Sequence, residues 1–202
     1  MHFIFGYKQL LNALFIIFAL SCSSFSIAEK ITAEKKASSA APKVLLETSS
    51  GNILIELFPK QAPLTVANFL KYVDDGFYSG TIFHRVVPGF VVQAGGYTFD
   101  FKKKETREPI KNESDNKLKN LVGTLSMART GVIDSATSQF FINIADNDAL
   151  DFSSGSHGYA VFGKVIEGFE IVKKIEKEPR GLYRQYPEAP NYPVIIEKAS
   201  RQ

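Results

Sequence analysis

The chain has 202 residues, 45% of them hydrophobic and 22% charged, a globular composition that excludes a largely disordered chain. One Cys and three His exclude a disulfide scaffold and any Cys-based metal or iron–sulfur site. A formal charge of +3, with no stretch that concentrates Lys and Arg, gives nucleic acid no footing.

Residues 1–28 read as a secretory signal. Lys8 supplies a weakly basic start, and Leu10 to Leu20 is apolar except for Asn12. Ser26-Ile27-Ala28 offers the small residues of a cleavage site after Ala28. The apolar run is too short to span a bilayer comfortably, so no membrane span is expected after cleavage. Cleavage before Cys22, which would leave a lipoprotein, is the alternative; Ala19-Leu20-Ser21 fits it poorly. Residues 29–42 are rich in Lys, Glu, Ala and Ser and read as a flexible linker to one domain over 43–202.

Within that domain, Val44–Glu47 and Ile53–Leu57 flank Ser50-Gly51-Asn52 and predict a hairpin. Pro63 to Val73 predicts a helix, with Leu64, Ala67, Phe69, Leu70 and Val73 at helical spacing. Strands are expected over Thr81–Val87 and Phe90–Ala94, turned at Pro88-Gly89 and ended by Gly95-Gly96. Residues 97–122 are polar and irregular and predict a long surface loop, functional or mobile. Further strands are expected at Gly123–Ala128, Gln139–Ile144, Tyr159–Val165 and Pro193–Ala199, and a short helix at Gly168–Ile175. Many short strands, few helices and Gly-rich turns predict a mainly β protein, a closed antiparallel barrel or a sandwich.

Common chemistries find no support. There is no glycine-rich phosphate loop and no GxSxG elbow. His84, between Phe83 and Arg85 on a strand, reads as a satisfied structural residue, and His157 as an exposed loop residue. Asp146, Asp148 and Asp151 lack the glycine and terminal glutamate of a calcium loop and read as a solvated turn. Asn112-Glu113-Ser114 matches a glycosylation sequon without further meaning.

Three ordered blocks carry more. They are Phe83 to Gly96 (FHRVVPGFVVQAGG), Leu125–Arg129 with Ser138–Ile142, and Tyr159–Val165 (YAVFGKV). Together they resemble the cyclophilin family from about Val44 to Lys198. Asp134 to Phe141 and Gly158 to Gly163 look closest to its exported, periplasmic branch. The resemblance implies a closed eight-stranded antiparallel β-barrel capped by two α-helices, and peptidyl-prolyl cis–trans isomerase activity. It implies no cofactor and no metal, a monomer, and a periplasmic location. The partners it implies are proline-containing segments of unfolded or exported proteins.

The same resemblance assigns Arg85, Phe90 and Gln93 to catalysis. It assigns Val91, Ala128, Arg129, Thr130, Phe141, Leu150 and Tyr159 to substrate binding, with backbone groups at 128–130 aligning an extended peptide. Phe140 and Phe141 are neighbours on a strand, so one can line a pocket while the other fills the core. Three positions depart from better-known members: Arg129 replaces Asn, Tyr159 replaces His, and Ala149 stands where many carry Trp. The last predicts weak cyclosporin binding. A module that binds prolyl peptides without turnover is the alternative reading; binding alone would not demand Arg85. A surface-attached lipoprotein is a third.

Overall fold

Alternation sets the inner face of the sheet. In β1 (Lys43–Thr48) Val44, Leu46 and Thr48 are buried, and in β2 (Gly51–Leu57) Ile53, Ile55 and Leu57 are buried, with more exposed residues between them. The computed structural model describes residues 41–202. The expected signal, Cys22 and nearly all of the linker lie outside the described residues.

The remaining barrel strands are β3 (Thr81–Val87), β4 (Val91–Thr98), β5 (Thr124–Met127), β6 (Phe140–Asn143), β9 (Val161–Glu167) and β10 (Ile195–Arg201). A two-residue hairpin, β7 (Phe152–Ser153) with β8 (Ser156–His157), stands apart. The eight strands close in the order β1-β10-β3-β4-β6-β5-β9-β2, every pairing antiparallel. The barrel alternative is therefore the correct one, and closure removes the unpaired edges a sandwich would retain.

Two helices pack on the barrel: α1 (Pro63–Asp74) against β10, and α2 (Phe169–Glu176) against β2, β3 and β4. The inward face of α1 differs from the predicted one. Leu64 and Ala67 are exposed, while Val66, Phe69, Leu70 and Val73 are buried together with Thr65, Asn68 and Tyr72. Phe69 sits 5.5 Å from Phe140 in an edge-on arrangement and 5.1 Å from Phe162, joining the helix to the core.

The 97–122 segment is a strap tied at many points, not a mobile loop. Helix α1 begins after Ala62, which has no capping side chain. Glu113 caps it from a distance: its carboxylate accepts from the Leu64 N–H at 3.0 Å, the Thr65 N–H at 2.8 Å and the Thr65 hydroxyl at 2.7 Å. Arg107 pairs with Asp75, and Lys104 donates to the Phe77 carbonyl while lying 4.6 Å over the Phe77 ring. The basic run at 102–104 is thus only partly solvated. The sequon is engaged as well: Asn112 and Ser114 both donate to the His157 carbonyl.

Candidate active site

Register places three of the expected residues on one rung. Arg85 on β3 is the Cα partner of Gln93 on β4, and Gln93 is the partner of Phe141 on β6. The next rung alternates to the interior, where Phe83, Ala94 and Phe140 are fully buried in the core. The Phe140–Phe141 pair divides its labour as expected. Phe140 packs on Phe69 and Tyr78, while Phe141 lines a surface concavity of about 320 Å³.

That concavity is bounded by Arg85, Phe90, Val91, Gln93, Ala128, Arg129, Phe141, Leu150 and Tyr159. Every expected site residue except Thr130 is there; Thr130 lines an adjoining depression of about 180 Å³ that shares Gln93, Ala128 and Arg129. Ala149 is exposed and lies outside the lining. A wider depression of about 750 Å³ runs along α2, but Lys and Glu side chains dominate its wall, and nothing there pairs an apolar slot with a directed donor.

Each wall has a support. Phe90 follows the Pro88-Gly89 turn, and its carbonyl accepts from Ile144 N–H at 2.8 Å and from the Asn147 amide at 3.0 Å. Helix α2 holds the same turn, since Glu176 accepts from the Gly89 N–H at 2.7 Å. Tyr159 stands edge-on to Phe141 at 5.5 Å, and the Arg129 guanidinium lies 4.7 Å over its other surroundings on the Tyr159 ring. Arg129 also donates through Nε to the Gly158 carbonyl at 3.0 Å. Its side chain therefore braces Tyr159, a role beyond the backbone one expected.

The peptide-aligning backbone is narrower than the expected 128–130. The Ala128 N–H is spent on the Gln139 carbonyl at 2.9 Å, and the Thr130 N–H on the Ser135 hydroxyl at 3.0 Å. Among the described residues only Arg129 of the three keeps both its N–H and its carbonyl without a partner.

Leu150 ends a single 3-10 turn, Asp148–Leu150. Asp151 anchors this turn and is no solvated residue: it is buried, and it accepts from the Asn120 N–H at 2.8 Å and the Asn120 amide at 2.9 Å. Lys119 lies 3.0 Å from its other oxygen. Burial alone would raise its pKa; the Asn120 bonds and the Lys119 charge outweigh that and hold it below the ordinary carboxylate value. Asp146 likewise accepts from the Val122 N–H at 2.8 Å.

Glycine is required beside Gln93. Gln93 donates through Nε2 to the Gln139 side-chain oxygen at 2.9 Å. Gln139 lies directly over Gly96, where a Cβ would come within 2.5 Å of its Cγ. The expected end of the strand at Gly95-Gly96 is instead a bulge, and β4 continues to Thr98. Gln139 had no assigned role, although two-residue alternation places it on the same face as Phe141.

His84 departs from its expected state. It is buried and packs 4.7 Å from the Tyr97 ring, but its Nδ1 has no hydrogen-bond partner. Burial pushes its pKa down to about 4, and the Arg85 charge adds to this; the Ile82 backbone and the Gln139 side chain only partly oppose it. His157 is exposed as expected.

Comparison with known proteins agrees with this site. The family model "Cyclophilin type peptidyl-prolyl cis-trans isomerase/CLD" matches residues 43–201. Peptidyl-prolyl cis-trans isomerase A of Dickeya dadantii is 49% identical over 192 residues, covering 95% of this chain and 96% of the relative. Peptidyl-prolyl cis-trans isomerase B of Escherichia coli is 49% identical over 160 residues, covering 78% of this chain and 98% of the relative. Among solved structures, a Cryptosporidium parvum cyclophilin type peptidyl-prolyl cis-trans isomerase superposes with a TM-score of 0.67 at 29% identity, covering 80% of this chain and 98% of that one. With that match over nearly all of the barrel, this chain belongs to the cyclophilin-type peptidyl-prolyl cis–trans isomerase family.

Proposed function

We propose that this isomerase acts on proline-containing segments of exported polypeptides in the periplasm, as a monomer. In this reading Arg85, Phe90 and Gln93 carry the catalysis. Val91, Ala128, Arg129, Phe141, Leu150 and Tyr159 hold the peptide around the proline, and Thr130 meets the chain beyond it. The single observation that carries the reading is the shared rung of Arg85, Gln93 and Phe141 at one concavity.

An X-Pro bond prefers trans by under about 1 kcal/mol, yet it crosses a barrier of about 18–20 kcal/mol set by amide resonance. Halfway through the rotation that resonance is lost. The prolyl nitrogen becomes pyramidal and gains a basic lone pair. No covalent bond has to form; the protein has only to bind the twisted amide more tightly than either planar one. Phe90, Phe141 and Leu150 bury the ring in an apolar slot and hold it while the rest of the peptide turns. Arg85 donates to the new lone pair. A guanidinium suits this better than an ammonium, because its planar fork fixes direction as well as charge. Gln93 is oriented by its bond to Gln139, which leaves its own amide oxygen to accept from the peptide. The free N–H and carbonyl of Arg129 align the segment on the other side as an extended strand.

The export half of the proposal rests on the residues before Ala28 and on a mature chain without cysteine, which cannot misbridge in an oxidising compartment. Among the described residues no helix is long and apolar enough to cross a membrane.

Two measurements test the proposal. Cis-to-trans conversion of a short X-Pro peptide should be accelerated by the wild type. Arg85→Ala should lose that acceleration by on the order of 100-fold, the usual scale for removing a directed donor from a developing charge. Equal rates for the two proteins would reject the role of Arg85. Fractionation of the native host, followed by intact mass of the mature protein, should give a periplasmic chain beginning at Glu29. A lipid-modified Cys22, or an unprocessed cytoplasmic chain, would overturn the location.

A further inference from the structure

The Arg85 side chain is held from outside the barrel's active face. Its Nε donates to Glu188 Oε2 at 2.6 Å, across 103 residues of sequence. Among the described residues, neither terminal nitrogen of Arg85 has an acceptor. The guanidinium is thus anchored by its stem edge, and its fork is left to the concavity.

Glu188 is not a casual surface partner. Its own carbonyl accepts from the Val86 N–H at 2.8 Å, so its backbone is docked on β3 beside Arg85. The segment that carries it is clamped to the strap after β4. Tyr186 stacks on Phe101 at 4.4 Å with the rings 13° apart, and Tyr183 lies 4.7 Å from the same ring. Tyr97 adds an edge-on contact to Tyr186 at 5.9 Å. Behind Glu188, Ala189 is fully buried. The pair itself is half-exposed, so its contribution to folding is small. What it does supply is direction, since a carboxylate on Nε removes most of the freedom of a long side chain.

Resting on the assignment of Arg85 above, we propose that Glu188 is a positioning residue for the isomerisation: it orients the Arg85 fork toward the twisted prolyl nitrogen. Its carboxylate also offsets part of the charge that Arg85 presents. The two effects have opposite signs, so they can be separated. If orientation prevails, losing Glu188 slows the reaction; if charge prevails, losing it speeds the reaction.

The test is a four-protein cycle of wild type, Glu188→Ala, Arg85→Ala and the double variant, with Glu188→Gln alongside. Exchange NMR on an X-Pro peptide at several concentrations gives kcat and KM separately. Glu188→Ala should lower kcat about 5- to 10-fold, the effect of losing one oriented hydrogen bond. KM should be nearly unchanged, and so should the melting temperature. Glu188→Gln keeps an oxygen for Nε and should recover most of the lost rate. In the Arg85→Ala background, removing Glu188 should change nothing further. A Glu188→Ala rate at or above wild type, or a loss that persists without Arg85, overturns the inference. If Arg85→Ala is itself as fast as wild type, the assignment of Arg85 fails instead, and the two failures are distinct.

Discussion

His84 makes the stability of this barrel depend on pH in a window where little else titrates. Its native pKa is held near 4, against 6.5 when the chain is unfolded. The unfolded state therefore takes up a proton between pH 6.5 and 4 while the folded state does not. Stability is full above 6.5 and falls as the pH drops toward 4. Each unit is worth about 1.36 kcal/mol, so the gap corresponds to a loss of about 3 kcal/mol. That is a large share of the roughly 5–15 kcal/mol that holds a typical domain. Carboxylates held low in the fold, Asp74, Asp151 and Glu176, also lose stability on acidification. Theirs is lost only as the pH falls below their ordinary values of 3.8 to 4.5, mostly beneath this window. His84→Phe keeps the ring against Tyr97 and removes both the proton and the unpartnered Nδ1. Urea unfolding of the two proteins at pH 7.5, 6, 5 and 4 reads the difference directly. The wild type should lose about 3 kcal/mol more than the variant over that range. Parallel curves would refute the argument, because they would mean that the imidazole is solvated or paired in the native state.

Two further substitutions probe the scaffold around the site. Glu113→Ala uncaps α1 from a distance and should cost about 1–2 kcal/mol, a drop of roughly 3–6 °C in Tm, while peptide isomerisation at 10 °C stays at the wild-type rate. Gly96→Ala should do the reverse: its Cβ displaces Gln139 and breaks the bond that orients Gln93, lowering kcat/KM about fivefold with a Tm close to wild type, and an unchanged kcat/KM would show that Gln93 needs no such support.

Much of the fold was legible because burial follows the strand period. Val44, Leu46, Ile53, Ile55 and Leu57 alternate cleanly, and the Pro88-Gly89 turn sets the register of β3 against β4. Where a segment leaned on distant partners, sequence pattern failed. Leu64 looks like part of an apolar helical face, yet it sits beside the Glu113 cap at the solvent edge, and Val66 and Tyr72 take the inward positions. The strap at 97–122 reads as irregular since its order comes from side chains: Glu113 on the α1 backbone, Asn120 on Asp151, Lys104 on Phe77. Bonds of that kind have no period to detect.

The concavity divides along the same line. Residues within the family blocks were legible, and among those given a site role only Thr130 fell outside the lining. The residues that orient them were not. Gln139 stood inside a quoted block, and alternation from Phe141 places it on the outer face, but its partner Gln93 is on another strand. Glu188 offers no signal at all, lying in an irregular stretch 103 residues from Arg85. A reacting group is constrained by what it must do to the substrate, and this restricts its identity. A supporting group has only to reach the reacting one, and many side chains on many loops can do so. Barrel closure brings β3 beside β10 and so brings the segment before β10 to Arg85. The topology, not the local sequence, explains why an acid at position 188 can serve a base at position 85.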